Sequence, residues 1–300
     1  MSARNSTGIH IALIAAVISG FSIFLNKFAV TSIPQPLLFT TLKNSLVAII
    51  IISLILAGKK LPLVRHLSRK QIAQLLLIGA IGGSLPFYLF FTGLSSIPAI
   101  NAAIIQKTLV VWVAILAIPF LKEKLSPAKI LAVIGLFAAN SLVGGFPGFK
   151  YSAGELMVLA ATLLWSVETV IAKKVLSSVD PDIVTAARMG FGSLFLLSLS
   201  FNSLSQISNL SLTQWSWIGL TAVLLLVYVS TWYRALKFAP ATTVTAILVG
   251  STVITNLLSA VFVTHSLNQL TIIQSLITII IIRFLIAQRS PTPALSNTPS

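Results

Sequence analysis

Four charged residues fall well inside apolar stretches of the chain: Lys43, Lys107, Glu168 and Arg188. A charge at such a depth in a membrane-spanning segment is costly unless it is paired or hydrated, and it commonly marks a substrate, ion or proton site. The three cations suit a substrate carboxylate, and the one carboxylate suits a proton or an ammonium group.

Glu168 and Arg188 are predicted to lie at the same depth. At about 1.5 Å per residue, Arg188 is about 8 to 9 Å from the start of its span near residue 183, and Glu168 is about 10 Å from the end of its own span near residue 175. One interpretation is a structural ion pair that allows both groups to be buried. The other is that Glu168 takes a proton or a substrate ammonium while Arg188 tunes its pKa.

Lys107 has no partner that the sequence reveals. It is about 12 Å below the outer end of its span, near the middle of the bilayer. We predict that its ammonium faces a cavity, where water or a bound anion solvates it. The alternative is a side chain that extends along its helix to the outer interface. Lys43 is closer to that interface, and for it the extended arrangement is favoured.

Aromatic and amide side chains on the same segments are further candidates for substrate binding. These are Tyr88, Asn101, Gln106, Trp112, Trp165, Trp232, Tyr233 and Asn256. An aromatic cavity with few charges suits amino acids or amphipathic metabolites. Trp and Tyr also form interfacial belts in membrane proteins, so packing is the alternative for each aromatic residue.

The composition indicates which elements carry these residues. Hydrophobic residues make up 56% of the 300, charged residues 8%, and the mean hydropathy is +1.00. Such a chain is an all-α membrane protein. We predict ten transmembrane helices, at 8–28, 37–57, 71–92, 99–121, 127–145, 153–175, 183–203, 214–236, 241–263 and 268–287.

The sequence repeats itself once. The segment from Gly8 is echoed from Gly154, and the segment from Leu94 is echoed from Leu236. Each copy holds five spans, so the second copy is inverted in the membrane, and a substrate site is expected between the two halves. The predicted organisation is an unordered segment 1–7, a first repeat 8–145, a second repeat 153–287 and an unordered tail 290–300.

The net charge of +15 follows the orientation of the chain rather than a nucleic-acid surface. With a cytoplasmic N-terminus, the outer loops hold one clear cation, Lys150, and both termini are cytoplasmic, in agreement with the positive-inside rule. The inner segments hold fourteen: Arg4, Lys59, Lys60, Arg65, Arg69, Lys70, Lys122, Lys124, Lys129, Lys173, Lys174, Arg234, Lys237 and Arg289.

Other chemistries find no support in the sequence. The chain has no cysteine, its three histidines are far apart, and it has no nucleotide-binding loop, nucleophile elbow or HExxH pair. We therefore expect no cofactor, no metal, no ATP and no enzymatic activity.

Several segments resemble the EamA family of the drug/metabolite transporter superfamily. They are GFSIFLNKFA, IPAINAAIIQKTLVVWVAILAIPFLKEKLS, LLWSVETVIAKK and TWYRALKFAPATTVTAILVGSTVITNLLSA. The resemblance implies a ten-helix permease, export or exchange of small metabolites, and a cavity lined by helices 1, 3, 4, 6, 8 and 9. The second-half counterpart of FLKEKL, residues 262–267, lacks the acidic residue at the position of Glu123.

We predict a secondary transporter that moves small organic metabolites such as amino acids by alternating access, in a bacterial cytoplasmic membrane. Its expected partners are a small-molecule substrate and the lipid bilayer, with no nucleic acid, and it is a monomer or a homodimer. An organic-anion or organophosphate translocator is the nearest alternative. A non-transporting membrane scaffold and an intramembrane enzyme are more distant alternatives.

Overall fold

The computed structural model describes residues 3–33, 35–141 and 148–287, and within these it is helical throughout. Ten long helical segments form the bundle. A helix suits a membrane span because it satisfies all its backbone hydrogen bonds internally, where hydrocarbon offers no partners. We label them α1 (Ala3–Ser32), α2 (Pro36–Ala57), α3 (Arg69–Ile78, Gly79–Ser84 and Leu85–Ser96), α4 (Ala99–Lys107 and Leu109–Leu121), α5 (Pro127–Ser141), α6 (Ala153–Val175), α7 (Pro181–Leu199), α8 (Leu212–Phe238), α9 (Ala241–Val249, Ser251–Ser259 and Ala260–Thr264) and α10 (Gln269–Ala287). A short helix, Leu61–Arg65, and a 3₁₀ segment, Phe201–Asn209, join neighbouring helices.

The segments agree with the all-α, ten-span prediction. In the described part of the chain nine helices have the length and composition of a membrane span, and α5 is a shorter apolar helix. Helix α1 starts at Ala3 and so includes residues 3–7, which the sequence predicts to be unordered. The tail 290–300 and the end of the first repeat near residue 145 lie outside the described residues.

Helix starts follow local sequence signals. Ser68, Ser152 and Ser211 each accept a hydrogen bond from the backbone N–H three residues later, and the Gln or Glu side chain at that position bonds back to the serine N–H. This capping box satisfies two of the free donors at a helix start. Proline opens α2 and α7, where its missing N–H is not needed.

The two five-helix repeats pack with approximate twofold symmetry. Helix α1 packs on α8, and α3 packs on α6, which is the equivalent pair when the repeats are exchanged. Helices α2 and α7, α4 and α9, and α5 and α10 pack on their own counterparts. The repeats are therefore interleaved, and the space between them lies at the centre of the molecule.

One pair of equivalent breaks and one π-helical segment interrupt the helices near this centre. Helix α4 breaks at Thr108 and α9 breaks at Gly250, which are equivalent positions in the two repeats. Helix α3 contains a π-helical segment, Gly79–Ser84. There Gly83 meets Gly192 of α7 so closely that a Cβ on Gly192 would lie 2.6 Å from the Gly83 carbonyl carbon. Only glycine allows this approach.

Candidate functional site

A cavity of about 1070 Å³ lies between the repeats. Residues of all ten helices line it, and its charged lining residues in the described part of the chain are Lys27, Lys43, Lys107, Glu168 and Arg188. It reaches the predicted outer face, because its lining includes Thr31 and Pro36 at one helix junction and Thr264 and Asn268 at another. Among the described residues, none that lines the cavity comes from the loops of the opposite, predicted cytoplasmic face.

Lys107 spans the interface between the two broken helices. It is the last residue before the break in α4, and its Nζ donates a 2.8 Å hydrogen bond to Oγ of Ser251, the first residue after the break in α9. The side chain is 6% exposed and lines the cavity. No carboxylate of the described residues lies within ion-pair distance of the Lys107 Nζ. The ammonium therefore lines the cavity and does not extend to the membrane surface.

The position of Lys43 contradicts the expectation that its side chain extends to the outer interface. It is 2% exposed, and its Nζ donates to Oδ1 of Asn26 at 3.1 Å. The rings of Phe39 and Phe91 lie 4.6 and 4.5 Å from this nitrogen, with the Phe87 ring at 5.9 Å. Cation–π contacts with desolvated rings contribute about 2 kcal/mol or more. These rings and the asparagine hold the ammonium inside the bundle.

The structure brings Glu168 and Arg188 together at the deep end of the cavity. Nη1 of Arg188 is 3.9 Å from Oε2 of Glu168, and both side chains are buried. The stronger contact of the carboxylate is with Tyr233, whose hydroxyl donates to Oε1 at 2.5 Å. Nη1 also donates to that hydroxyl oxygen at 3.4 Å. The three groups form one buried network that joins α6, α7 and α8.

The Arg188 guanidinium keeps unused hydrogen-bonding capacity. Its Nε is buried without a partner, and its planar head lies over the rings of Phe87 and Tyr233 at 5.8 and 5.7 Å. Trp232 lines the cavity next to Tyr228, with stacked rings 6.2 Å apart. The deep end is thus an aromatic chamber with one partly satisfied cation.

Asn256 is half-buried and belongs to a hydrogen-bonded network with the buried amides of Gln274 and Asn140. It lines the cavity, but its Nδ2 donates to Oε1 of Gln274 at 2.8 Å, and Nε2 of Gln274 donates to Oδ1 of Asn140 at 3.0 Å. This network of amides joins α5, α9 and α10 within the membrane, where burial of each amide would be costly without a hydrogen-bond partner. Asn256 and Asn140 present this network to the cavity.

The remaining candidates divide between the cavity wall and other positions. Gln106 and Trp165 line the cavity, and Nε1 of Trp165 donates to the Gly82 carbonyl in the π-helical segment at 3.1 Å. Four predicted residues do not line it: Tyr88, Asn101, Trp112 and Tyr233. Asn101 donates to Glu155 at 2.7 Å, and Nε1 of Trp112 donates to Thr108 at 3.0 Å. Tyr233 lies outside the cavity lining and donates a hydrogen bond to Glu168, which does line the cavity.

At the predicted cytoplasmic face, hydrogen bonds to the corner between α8 and α9 close the end of the bundle. The Glu123 carboxylate accepts from the N–H of Ala241 at 2.6 Å and from the Thr242 hydroxyl at 2.6 Å, at the start of α9. Lys173 donates to the carbonyls of Leu236 and Ala239 at 2.5 and 2.7 Å, at the end of α8. The two side chains hold both sides of the α8–α9 corner, and each complements a helix terminus.

Further contacts join the repeats at this face. Nζ of Lys60 donates to Oδ2 of Asp182 at 2.5 Å, and Arg234 contacts the other oxygen of Asp182 at 2.6 Å. The hydrogen bond to Asp182 raises the pKa of Lys60 above its ordinary value. Nε2 of Gln71 also donates to Oγ of Ser178 at 3.0 Å. These contacts are partly exposed, so we assign them less stabilisation than the Glu123 and Lys173 contacts.

The acidic residue of the first repeat has no equivalent at the opposite face. Lys122 and His265 end α4 and α9 in the left-handed conformation, with φ of 54° and 49°. Ser126, the residue before α5, lies four positions after Lys122. Asn268, the residue before α10, lies three positions after His265, so the second loop is one residue shorter. The shorter second loop contains no carboxylate.

Metal binding has no visible site in the described ranges. No three His, Asp or Glu side chains of residues 3–33, 35–141 and 148–287 come together in a way that would hold a metal ion. The cavity wall offers ammonium, guanidinium, carboxylate, hydroxyl, amide and aromatic groups.

Comparison with known proteins identifies the family. The model of the EamA-like transporter family matches residues 6–144 and again residues 152–287. The two matches coincide with the two packed repeats. A solved crystal structure has the same fold, with a TM-score of 0.72, 17% sequence identity, and coverage of 94% of this chain and 98% of the other.

Two curated relatives are named as transporters. The chain is 29% identical over 203 residues to the uncharacterized transporter YvbV of Bacillus subtilis (strain 168), covering 67% of this chain and 63% of the relative. It is also 29% identical over 130 residues to an uncharacterized transporter of Archaeoglobus fulgidus, covering 41% and 44%. The match thus spans less than two thirds of either relative's length. The names agree with an integral membrane transporter rather than an enzyme, and the Bacillus relative agrees with a bacterial cytoplasmic membrane.

Proposed function

Because this chain belongs to the EamA-like transporter family, we propose that it moves small carboxylate-bearing organic solutes, such as amino acids, by alternating access. The observation that carries this proposal is the Lys107 ammonium, buried at the α4–α9 interface with one neutral partner, Ser251. Discontinuous helices at a repeat interface are the usual substrate site of inverted-repeat transporters. Lys107 would bind the substrate carboxylate there.

Alternating access requires one end of the cavity to be closed while the other is open. The cavity reaches the predicted outer face, and Glu123 and Lys173 close the opposite end. Inward opening would separate Glu123 from the start of α9 and expose the same cavity to the other side. The asymmetry between the loops after α4 and α9 supports a preference for the outward-open arrangement.

A second candidate is an organic-anion or organophosphate translocator. It is favoured by the lining charges, four cations and one carboxylate in the described part of the cavity. A non-transporting membrane scaffold is less favoured, because it needs neither a cavity nor a buried ammonium.

Counterflow in proteoliposomes tests the proposed function. Vesicles that contain the purified full chain and a high internal concentration of one unlabelled solute should accumulate the same labelled solute transiently. The panel should include neutral and acidic amino acids, monocarboxylates and organophosphates. Absence of counterflow for every organic solute would refute the proposal.

A further inference from the structure

We propose that the substrate carries two separated negative charges, one bound by Lys107 and the other by Lys43. This proposal rests on the proposed transport function and names the class of solute, which is a dicarboxylate or an acidic amino acid. It assigns a binding role to Lys43.

Each of the two ammonium groups has one hydrogen-bond acceptor among the described residues, and that of Lys43 also lies over the rings of Phe39 and Phe91. Nζ of Lys43 has Asn26 as its hydrogen-bond acceptor, and Nζ of Lys107 has Ser251. An ammonium has three N–H donors, so a single acceptor does not use all of them. Both side chains are at least 94% buried and both line the cavity. Burial of a charge without an opposite charge is costly, and a bound anion removes that cost.

The one described carboxylate of the cavity wall is not available to either lysine. Glu168 accepts from Tyr233 at 2.5 Å and lies 3.9 Å from Arg188. Glu168 and Arg188 carry opposite charges and balance each other. The two buried lysines therefore leave two positive charges inside the cavity, which the two carboxylates of a dicarboxylate or an acidic amino acid would contact separately and the single carboxylate of a neutral amino acid would not.

The positions along α1 separate the two lysines. The Ser251 backbone oxygen lies within 2.9 Å of where a Cβ of Gly20 would be, so the Lys107 contact is level with Gly20. Asn26, which holds Lys43, lies six residues further along α1, or about 9 Å at 1.5 Å per residue. A single phosphate group is too small to contact both. Two carboxylates on a short carbon chain match the spacing better.

Matched ligand pairs test this inference on the wild-type protein. Glutamate and glutamine are nearly the same size and differ by one negative charge. We expect glutamate to stabilise the purified protein against thermal unfolding at about tenfold to a hundredfold lower concentration than glutamine, the range expected for one charged hydrogen bond. Inorganic phosphate, with its charges on one centre, should stabilise it less than glutarate. Equal effects of glutamate and glutamine, or no effect of either dicarboxylate, would overturn the inference.

A Lys43→Met variant tests the assignment of the second charge. It should lose most of the preference for glutamate over glutamine and keep its response to glutamine, which contacts Lys107. The matched control is Lys150→Met, which removes an exposed lysine outside the cavity lining, in a predicted outer loop, and should keep the preference. A Lys43→Met protein with the wild-type preference would overturn the assignment. If Lys43→Met does not fold, Lys43→Gln and the wild-type ligand comparison still decide the question.

Transport distinguishes failure of this inference from failure of the proposed function. Counterflow of neutral amino acids without any preference for acidic amino acids or dicarboxylates would support the transport function and reject a substrate with two carboxylates. Absence of counterflow for every solute would reject both.

Discussion

The Tyr233 hydroxyl donates a 2.5 Å hydrogen bond to Oε1 of Glu168 across the interface of α6 and α8. Arg188 approaches the other carboxylate oxygen only to 3.9 Å, although both groups are buried. The carboxylate is thus oriented by the phenol and balanced electrostatically by the guanidinium. The network has the features of a structural ion pair, and it also leaves part of the guanidinium free toward the cavity.

Substitution of this pair separates the structural role from a proton-carrying role. Glu168→Gln should destabilise the folded protein by about 3 kcal/mol, because Arg188 would remain buried without a carboxylate. Glu168→Gln with Arg188→Gln should recover much of that loss, as expected for coupled neighbours. Thermal unfolding in detergent measures the cycle, and Tyr233→Phe should cost about 1.5 to 3 kcal/mol, because it removes a hydrogen bond to a charged carboxylate. Glu168→Gln with unchanged stability and an altered pH dependence of transport would instead make Glu168 a proton site.

Glu123 provides a test of the closed end. Glu123→Gln weakens the cap on α9, and losing a helix cap costs about 1 kcal/mol. The inward-open population should therefore rise about fivefold, since 1.4 kcal/mol corresponds to a factor of ten. The chain contains no cysteine, so Thr169→Cys, at a residue that lines the cavity, introduces a single reporter. Labelling by a membrane-impermeant thiol reagent from the predicted cytoplasmic side should accelerate in the Glu123→Gln background.

The control for this experiment is Lys124→Gln. Lys124 is exposed in the same loop, so its substitution changes a charge of that loop and leaves the cap on α9 intact. Its labelling rate should equal that of Thr169→Cys alone. Equal rates for the Glu123 and Lys124 variants would show that the carboxylate does not hold the gate.

The sequence predicted the helices and repeats because membrane spans and internal repetition are local or periodic signals. Depth arithmetic also placed Glu168 and Arg188 at one level. The arithmetic gives height along a helix but not direction around it, which explains the error at Lys43: Phe39, Phe87 and Phe91 surround a lysine that was expected at the surface. The Glu123 contact with Ala241 joins residues 118 apart in sequence, and no spacing rule reveals it.

The orientation of the chain remains a prediction from its fourteen-to-one charge distribution. Reporter fusions after residues 30, 97, 150, 208 and 266 should be outside, and fusions after residues 65, 125, 179, 238 and 290 should be inside. Two adjacent loops on the same side would contradict the inverted-repeat topology. Exchange of every location would keep the repeats and reverse the face to which the cavity opens.

Lys107 carries the function that we propose, and its substitution gives the most direct test. Lys107→Met retains the apolar stem and removes the charge. The hydrogen bond to the neutral Ser251 hydroxyl is lost, and the bundle should fold normally. Substrate binding should weaken by about tenfold to a hundredfold, because a charge-assisted hydrogen bond contributes about 1.5 to 3 kcal/mol. Lys107→Arg should show a smaller loss, since it keeps the charge but changes the geometry. Initial rates of counterflow over a range of substrate concentrations measure both variants. Wild-type kinetics in a folded Lys107→Met protein would place the substrate carboxylate elsewhere in the cavity, and the unused donors of Arg188 at its deep end would be the next site to test.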